Sequence, residues 1–193
     1  MSALDPYAFV FKGLLAEEAL DRAGRRRSHS PDDARLAELD GILAMNFLDE
    51  EFRVPAREMA VVYTAVAAFE NSVRSLVRKV LIEEFKADWW TKGVAEGIRK
   101  KAESRQQEEQ TIKWHANRGD DPMCFIDFGQ LNSIIVGNWK LFENLLRRQL
   151  WVQHIFDTME RSRNVIMHSG ELPDVDIERL GTNLRDWMKQ TGG

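Results

Sequence analysis

The chain is short of the residues that many function classes require. It has one cysteine, Cys124, so an internal disulfide and the paired-cysteine motifs of redox and zinc sites are excluded, and a reducing, cytoplasmic setting is expected. No run approaches the roughly 20 apolar residues that span a bilayer. The opening MSALDPYAFVFKGLLAEEALDR has no basic leader region, places Asp5 and Pro6 early, and does not read as a signal peptide. Positive charge is also scarce, because 27 Lys and Arg against 31 Asp and Glu leave a net charge of −4. That balance argues against nucleic acid or an anionic membrane held by bulk charge, so any polyanion site must be a local patch. His29, His115, His154 and His168 show no HxxxH, HExxH or Cys/His spacing, and no metal site is expected. A phosphate-binding GxxxxGK[ST] loop, a GxGxxG turn and a GxSxG elbow are missing as well, so no cofactor is expected. The DFGQ at 127–130 lacks every other kinase element and reads as a helix cap through Asp127.

What remains is a helical pattern. Five prolines and twelve glycines punctuate 193 residues, enough for one domain or for one domain with a smaller appendage. Apolar residues recur at helical rather than alternating spacing, which predicts an all-α fold. The clearest segment starts at Pro55 and runs to about Phe85, with Met59, Val62, Val66, Phe69, Val73, Leu76 and Val80 as its seam. A second runs from about Phe128 to Met167, broken near Gly137 or Arg147. It carries Leu145, Val152, Met159 and Ile166 at seven-residue spacing, and Ser169, Gly170 and Pro173 stop it. Between these lies a solvated helix ending near Gly119. A last helix, about 176 to 189, presents Ile177, Leu180, Leu184 and Trp187 and closes the bundle. Residues 1–54 read as an N-terminal appendage of two short helices, about 6 to 23 and 32 to 46, beside a helical bundle over 55–193.

One constellation carries chemistry. The run 161–170, RSRNVIMHSG, ends the second long segment with Arg163, Asn164 and His168. Asn164 and His168 are four residues apart and share a helix face, and Arg163 stands one step around with a side chain long enough to reach it. Arg161 and His154, at −7 and −14 from His168, fall close to the same face. A histidine in a last helical turn meets the negative end of the macrodipole, a position suited to phosphate binding or proton donation. These residue types meet the needs of RNA cleavage through its own 2′-hydroxyl, which requires a proton acceptor, a proton donor and a cation for the phosphorane. One imidazole does not easily serve both ends of the phosphodiester, so the reading is tied to a homodimer that brings two copies into one cleft.

The Arg-Asn-x-x-x-His arrangement on the last long helix of a small all-α bundle resembles the HEPN superfamily (higher eukaryotes and prokaryotes nucleotide-binding). Within it, the chain is similar to the subfamily named after a eukaryotic RNA-surveillance endoribonuclease and also found in bacterial defence loci. Further pieces of the resemblance are FENSVRSL at 69–76, DWW at 88–90, FIDFGQL at 125–131 and NWKLF at 138–142, and together they cover about residues 55 to 190. The resemblance implies a HEPN-like dimerising bundle and a metal-independent ribonuclease leaving a 2′,3′-cyclic phosphate. It implies that Arg163 holds the scissile phosphate, His168 acts in proton transfer or leaving-group stabilisation, and Asn164 orients the site. It also implies RNA as substrate, a role as toxin or effector in stress response or phage defence, and an antitoxin or other defence-system protein as candidate partner. The alternative is a non-catalytic dimeric module that binds RNA, a nucleotide or a protein.

Other positions carry two readings each. Glu70 and Arg74 are either an ordinary i,i+4 ion pair or a pair in which Glu70 positions Arg163 or His168 and Arg74 adds to the phosphate site. Arg147 and Arg148 either extend a basic groove toward His154 or are solvated. Trp89 and Trp90 read as core rather than as base-stacking rings. Arg25, Arg26 and Arg27 read equally as RNA-backbone contacts and as a solvated turn.

Overall fold

The computed structural model describes residues 31–192 and, before them, the single positions Lys12, Gly13, Ala16, Ala19 and Leu20. Among the described residues every regular element is helical, and the fold is all-α. The helix expected over 6–23 falls largely outside the described residues, and Arg25, Arg26 and Arg27 fall entirely outside them. The chain divides into two compact units, Met1–Phe52 and Arg53–Gly193.

In the first unit the described elements are α1 (Pro31–Ile42) and a 3-10 turn over Met45–Phe47. The helix expected to reach residue 46 stops at Ile42, because Ala44 turns left-handed at φ 50° and breaks the ladder. None of the unit's described side chains is buried.

The division falls inside α2 (Glu50–Phe85), whose 36 residues make it the longest helix and about 54 Å in length. It begins five residues before Pro55. The only hydrogen bond the proline ring removes is to the carbonyl of Glu51 in the exposed first turn, where its loss costs little. Met59, Val62, Val66, Phe69 and Val73 are buried as their spacing implies, but the seam then continues through Val77 and Leu81 rather than Leu76 and Val80. Successive steps of four turn the buried face around the helix toward the returning chain. That chain is α3 (Trp89–Gly93), and a Cβ on Gly93 would stand 2.8 Å from Leu81 Cδ2, so any larger residue there would displace the Leu81 side chain. Trp89 and Trp90 meet each other edge to face and pack against the core, with the Arg78 guanidinium 5.9 Å over the Trp89 ring.

Helix α4 (Glu96–Thr111) buries only Ala102, as its dense charges imply, and ends eight residues short of Gly119. There the chain doubles back. Arg118 pairs with Glu109 at 2.8 Å and Gly119 takes φ +95°, which an uninterrupted helix forbids. A 3-10 turn over Pro122–Phe125 leads into α5 (Phe128–Gly137), capped as Asp127 implies: Asp127 and Gln130 form a reciprocal capping box.

The expected long segment is broken at both suspected places, into α5, α6 (Trp139–Leu146) and α7 (Gln149–Met167). At the first break Asn138 Nδ2 donates to the carbonyls of Ile134 and Gly93, each at 2.8 Å, tying the bend to the end of α3. At the second, Arg147 takes φ 64° and ψ −42°, and Arg148 N–H bonds the Leu146 carbonyl at 2.7 Å. This is a γ-turn about a left-handed non-glycine residue, a strained conformation. Helix α8 (Asp174–Thr191) buries Leu180, Asn183 and Trp187 against this layer. Phe69, Phe128, Phe156 and Trp187 meet at the centre with ring centroids 4.6 to 6.4 Å apart. No helix among the described residues is long and apolar enough to cross a membrane.

Candidate functional site

Helix α2 places Glu70 on its inner face between Phe69 and Val73, and the residue is only 8% exposed. A carboxylate so removed from water needs opposite charge, and two guanidinia supply it. Oε1 accepts from Arg74 Nη2 one helical turn on, and Oε2 faces Arg163 Nε of α7 at 3.6 Å. Arg74 is engaged throughout: Nε donates to the Met123 carbonyl at 3.0 Å, Nη2 also to the Ile126 carbonyl at 2.9 Å, and Nη1 to Asn71 Oδ1 at 3.0 Å. The two carbonyls belong to the 3-10 turn and its exit before α5, so Arg74 ties α2 to that segment. Arg105 of α4 holds the same segment from the other side, through the Phe125 carbonyl at 2.6 Å and Asp127 at 2.9 Å. The Arg163 side chain makes no hydrogen bond or ion pair besides that with Glu70 among the described residues, and it is 37% exposed.

Helix α7 ends as Ser169 and Gly170 imply. Gly170 N–H reaches the Val165 carbonyl at 2.8 Å and Ser169 N–H the Ile166 carbonyl at 3.0 Å, the paired bonds of a Schellman motif. Ser169 takes the left-handed position at φ 60°. Gly170 is required for space instead, since a Cβ there would meet Val165 Cγ1 at 2.7 Å and its carbonyl oxygen at 2.9 Å. His168 is thereby the C-cap, exposed, and its ring has no partner among the described residues; Asn164, one turn earlier, is exposed with a free amide.

A second concavity lies on another side of α7. His154, Asp157 and Arg161 of α7, Leu172, and Asp176 and Arg179 of α8 line an open groove of about 430 Å³. Asp176 and Arg179 pair at 2.6 Å, while Arg161 has no partner among the described residues. Arg161 and Arg163 leave the helix about 200° apart. The structure therefore sorts these sequence candidates into two sets: Glu70, Arg74 and Arg163 meet between α2 and α7, and His154 and Arg161 both line the α7–α8 groove. Arg147 and Arg148, both exposed, stand at the opposite end of α7 from His168, about 30 Å away along the axis, and His154 is about 21 Å from it.

Sequence reasoning missed Asp176 and Arg179, whose placement depends on how α8 packs on α7, and Arg105, whose clasp on Asp127 and Gln130 reaches across from α4 and has no local signal. Among the described residues no group of three or more His, Cys, Asp or Glu side chains is placed to hold a metal ion. No protein-family model, curated protein or solved structure matches this chain.

Proposed function

We propose that the chain is a metal-independent endoribonuclease of HEPN type that works as a homodimer, with Arg163 and His168 of two copies sharing one cleft. The observation that carries this reading is the reach of buried Glu70 on α2 to Arg163 on α7. A loosely held guanidinium thus stands one helical turn from the end of α7, where the side chains of His168 and Asn164 are exposed and unpartnered. In the proposed reaction the 2′-hydroxyl attacks its own phosphorus and loses its proton to one His168. The imidazole of the second copy gives a proton to the departing 5′-oxygen, and Arg163 neutralises the phosphorane between them. The products are a 2′,3′-cyclic phosphate and a free 5′-hydroxyl. A net charge of −4 is no obstacle, because the cations are concentrated where two copies meet. The cytoplasmic setting in stress response or phage defence, with a regulating antitoxin or other defence protein, is part of the proposal and rests on the resemblance.

Purified protein incubated with transfer RNA in EDTA is expected to leave cyclic-phosphate ends, and His168→Ala and Arg163→Ala each to lower the rate by about 100-fold or more. Cleavage that survives both substitutions, or that requires added metal, defeats the mechanism. RNA binding without cleavage leaves the non-catalytic module as the reading.

A further inference from the structure

We infer that Arg74 is a positioning residue that sets how freely Arg163 leaves Glu70 for a phosphate, an inference that rests on the reading of Arg163 as the phosphate-binding cation. Glu70 has one negative charge and two guanidinia, held very differently. The Arg74 arm is fixed: its side chain is mostly buried, and withdrawing it would strip donors from the carbonyls of Met123 and Ile126, two buried residues. The Arg163 arm is a single approach of 3.6 Å, beyond hydrogen-bond length, and the guanidinium's terminal nitrogens have no partner among the described residues.

A phosphate presents oxygens that a guanidinium can bind in parallel, so it outcompetes one long contact. When Arg163 turns to it, Glu70 keeps Arg74 and no buried carboxylate is left uncompensated. Without Arg74, Arg163 would be the only counterion of Glu70, and its departure would strand a buried charge. Arg74 therefore serves the phosphate site at one remove. Each of its three nitrogens is engaged inside the protein, so as placed its role is to hold Glu70.

The test is binding of a single-stranded oligoribonucleotide carrying 2′-fluoro groups throughout, which lacks the attacking hydroxyl, followed by fluorescence anisotropy. Arg74→Gln is expected to raise Kd by about tenfold, equivalent to about 1.4 kcal/mol. Arg74→Lys keeps a cation beside Glu70 and is expected to stay within about threefold of wild type. Glu70→Gln removes the competitor for Arg163, so its Kd is expected to be unchanged or lower. In that background, adding Arg74→Gln is expected to change nothing further.

If Arg74 only braces the Met123 and Ile126 carbonyls, the loss is equal in both backgrounds, and the inference falls. A tenfold rise in Kd for Glu70→Gln alone also overturns it, and that arm together with Arg74→Lys decides the matter if circular dichroism shows Arg74→Gln unfolded. An outcome in which wild type and Arg163→Ala bind the oligonucleotide equally poorly defeats the phosphate reading of Arg163 itself, which is a different failure.

Discussion

One side of α7 faces α2 and another faces α8, and the two handle charge in opposite ways. Toward α2, a single buried carboxylate, Glu70, is enclosed by Arg74 and Arg163, and Arg74 is further committed to two backbone carbonyls. Toward α8, the polar side chains of His154, Asp157, Arg161, Asp176 and Arg179 line an open groove, and the ion pair of Asp176 with Arg179 is a one-turn contact half in water. Burial makes the difference. Where water is excluded, a charge must be answered by a definite partner at a definite place, so it organises the elements around it. Where water enters, the same residue types are screened and organise little.

The sharpest way to break this comparison is to remove one acid from each side. Glu70→Ala leaves the mostly buried Arg74 guanidinium without its anion, and a loss of about 3 kcal/mol in urea unfolding is expected. A smaller effect, about 2 kcal/mol, is expected for Gly170→Ala at the Schellman end of α7, because the new Cβ presses on the fixed Val165 carbonyl as well as on its side chain. The smallest is Asp176→Ala on the groove side, where the lost pair is exposed and no more than about 0.5 kcal/mol should go. Equal losses for Glu70→Ala and Asp176→Ala would show that the two sides do not differ as described.

The parts of this molecule legible in its sequence are those governed by local rules. The stop at Ser169 and Gly170, the cap at Asp127 and the buried seam from Met59 to Val73 follow from turn chemistry and helical period, and each appears where those rules put it. The end of the seam and the start of α2 were not legible, because Val77, Leu81 and Pro55 answer to how α3 returns and to which carbonyl loses its donor. The site was legible in part for the same reason. That Glu70 and Arg74 pair follows from i,i+4 spacing. That Arg163 meets Glu70, more than ninety positions away, while Arg161 turns to α8, follows from the angle at which α7 lies between its neighbours, which no local pattern encodes.

The two breaks in the segment from Phe128 to Met167 have a consequence for the order in which the protein assembles. Phe128 and Phe156 are about 28 positions apart, which on one straight helix would separate them by roughly 42 Å. Their rings instead stand 4.6 Å apart. The contact exists only after the chain has bent at Asn138 and turned again at Arg147, the second time through a strained turn. Both closures must be made before the aromatic centre repays them, so the ring cluster is a late arrival in folding, and the local helices on either side precede it.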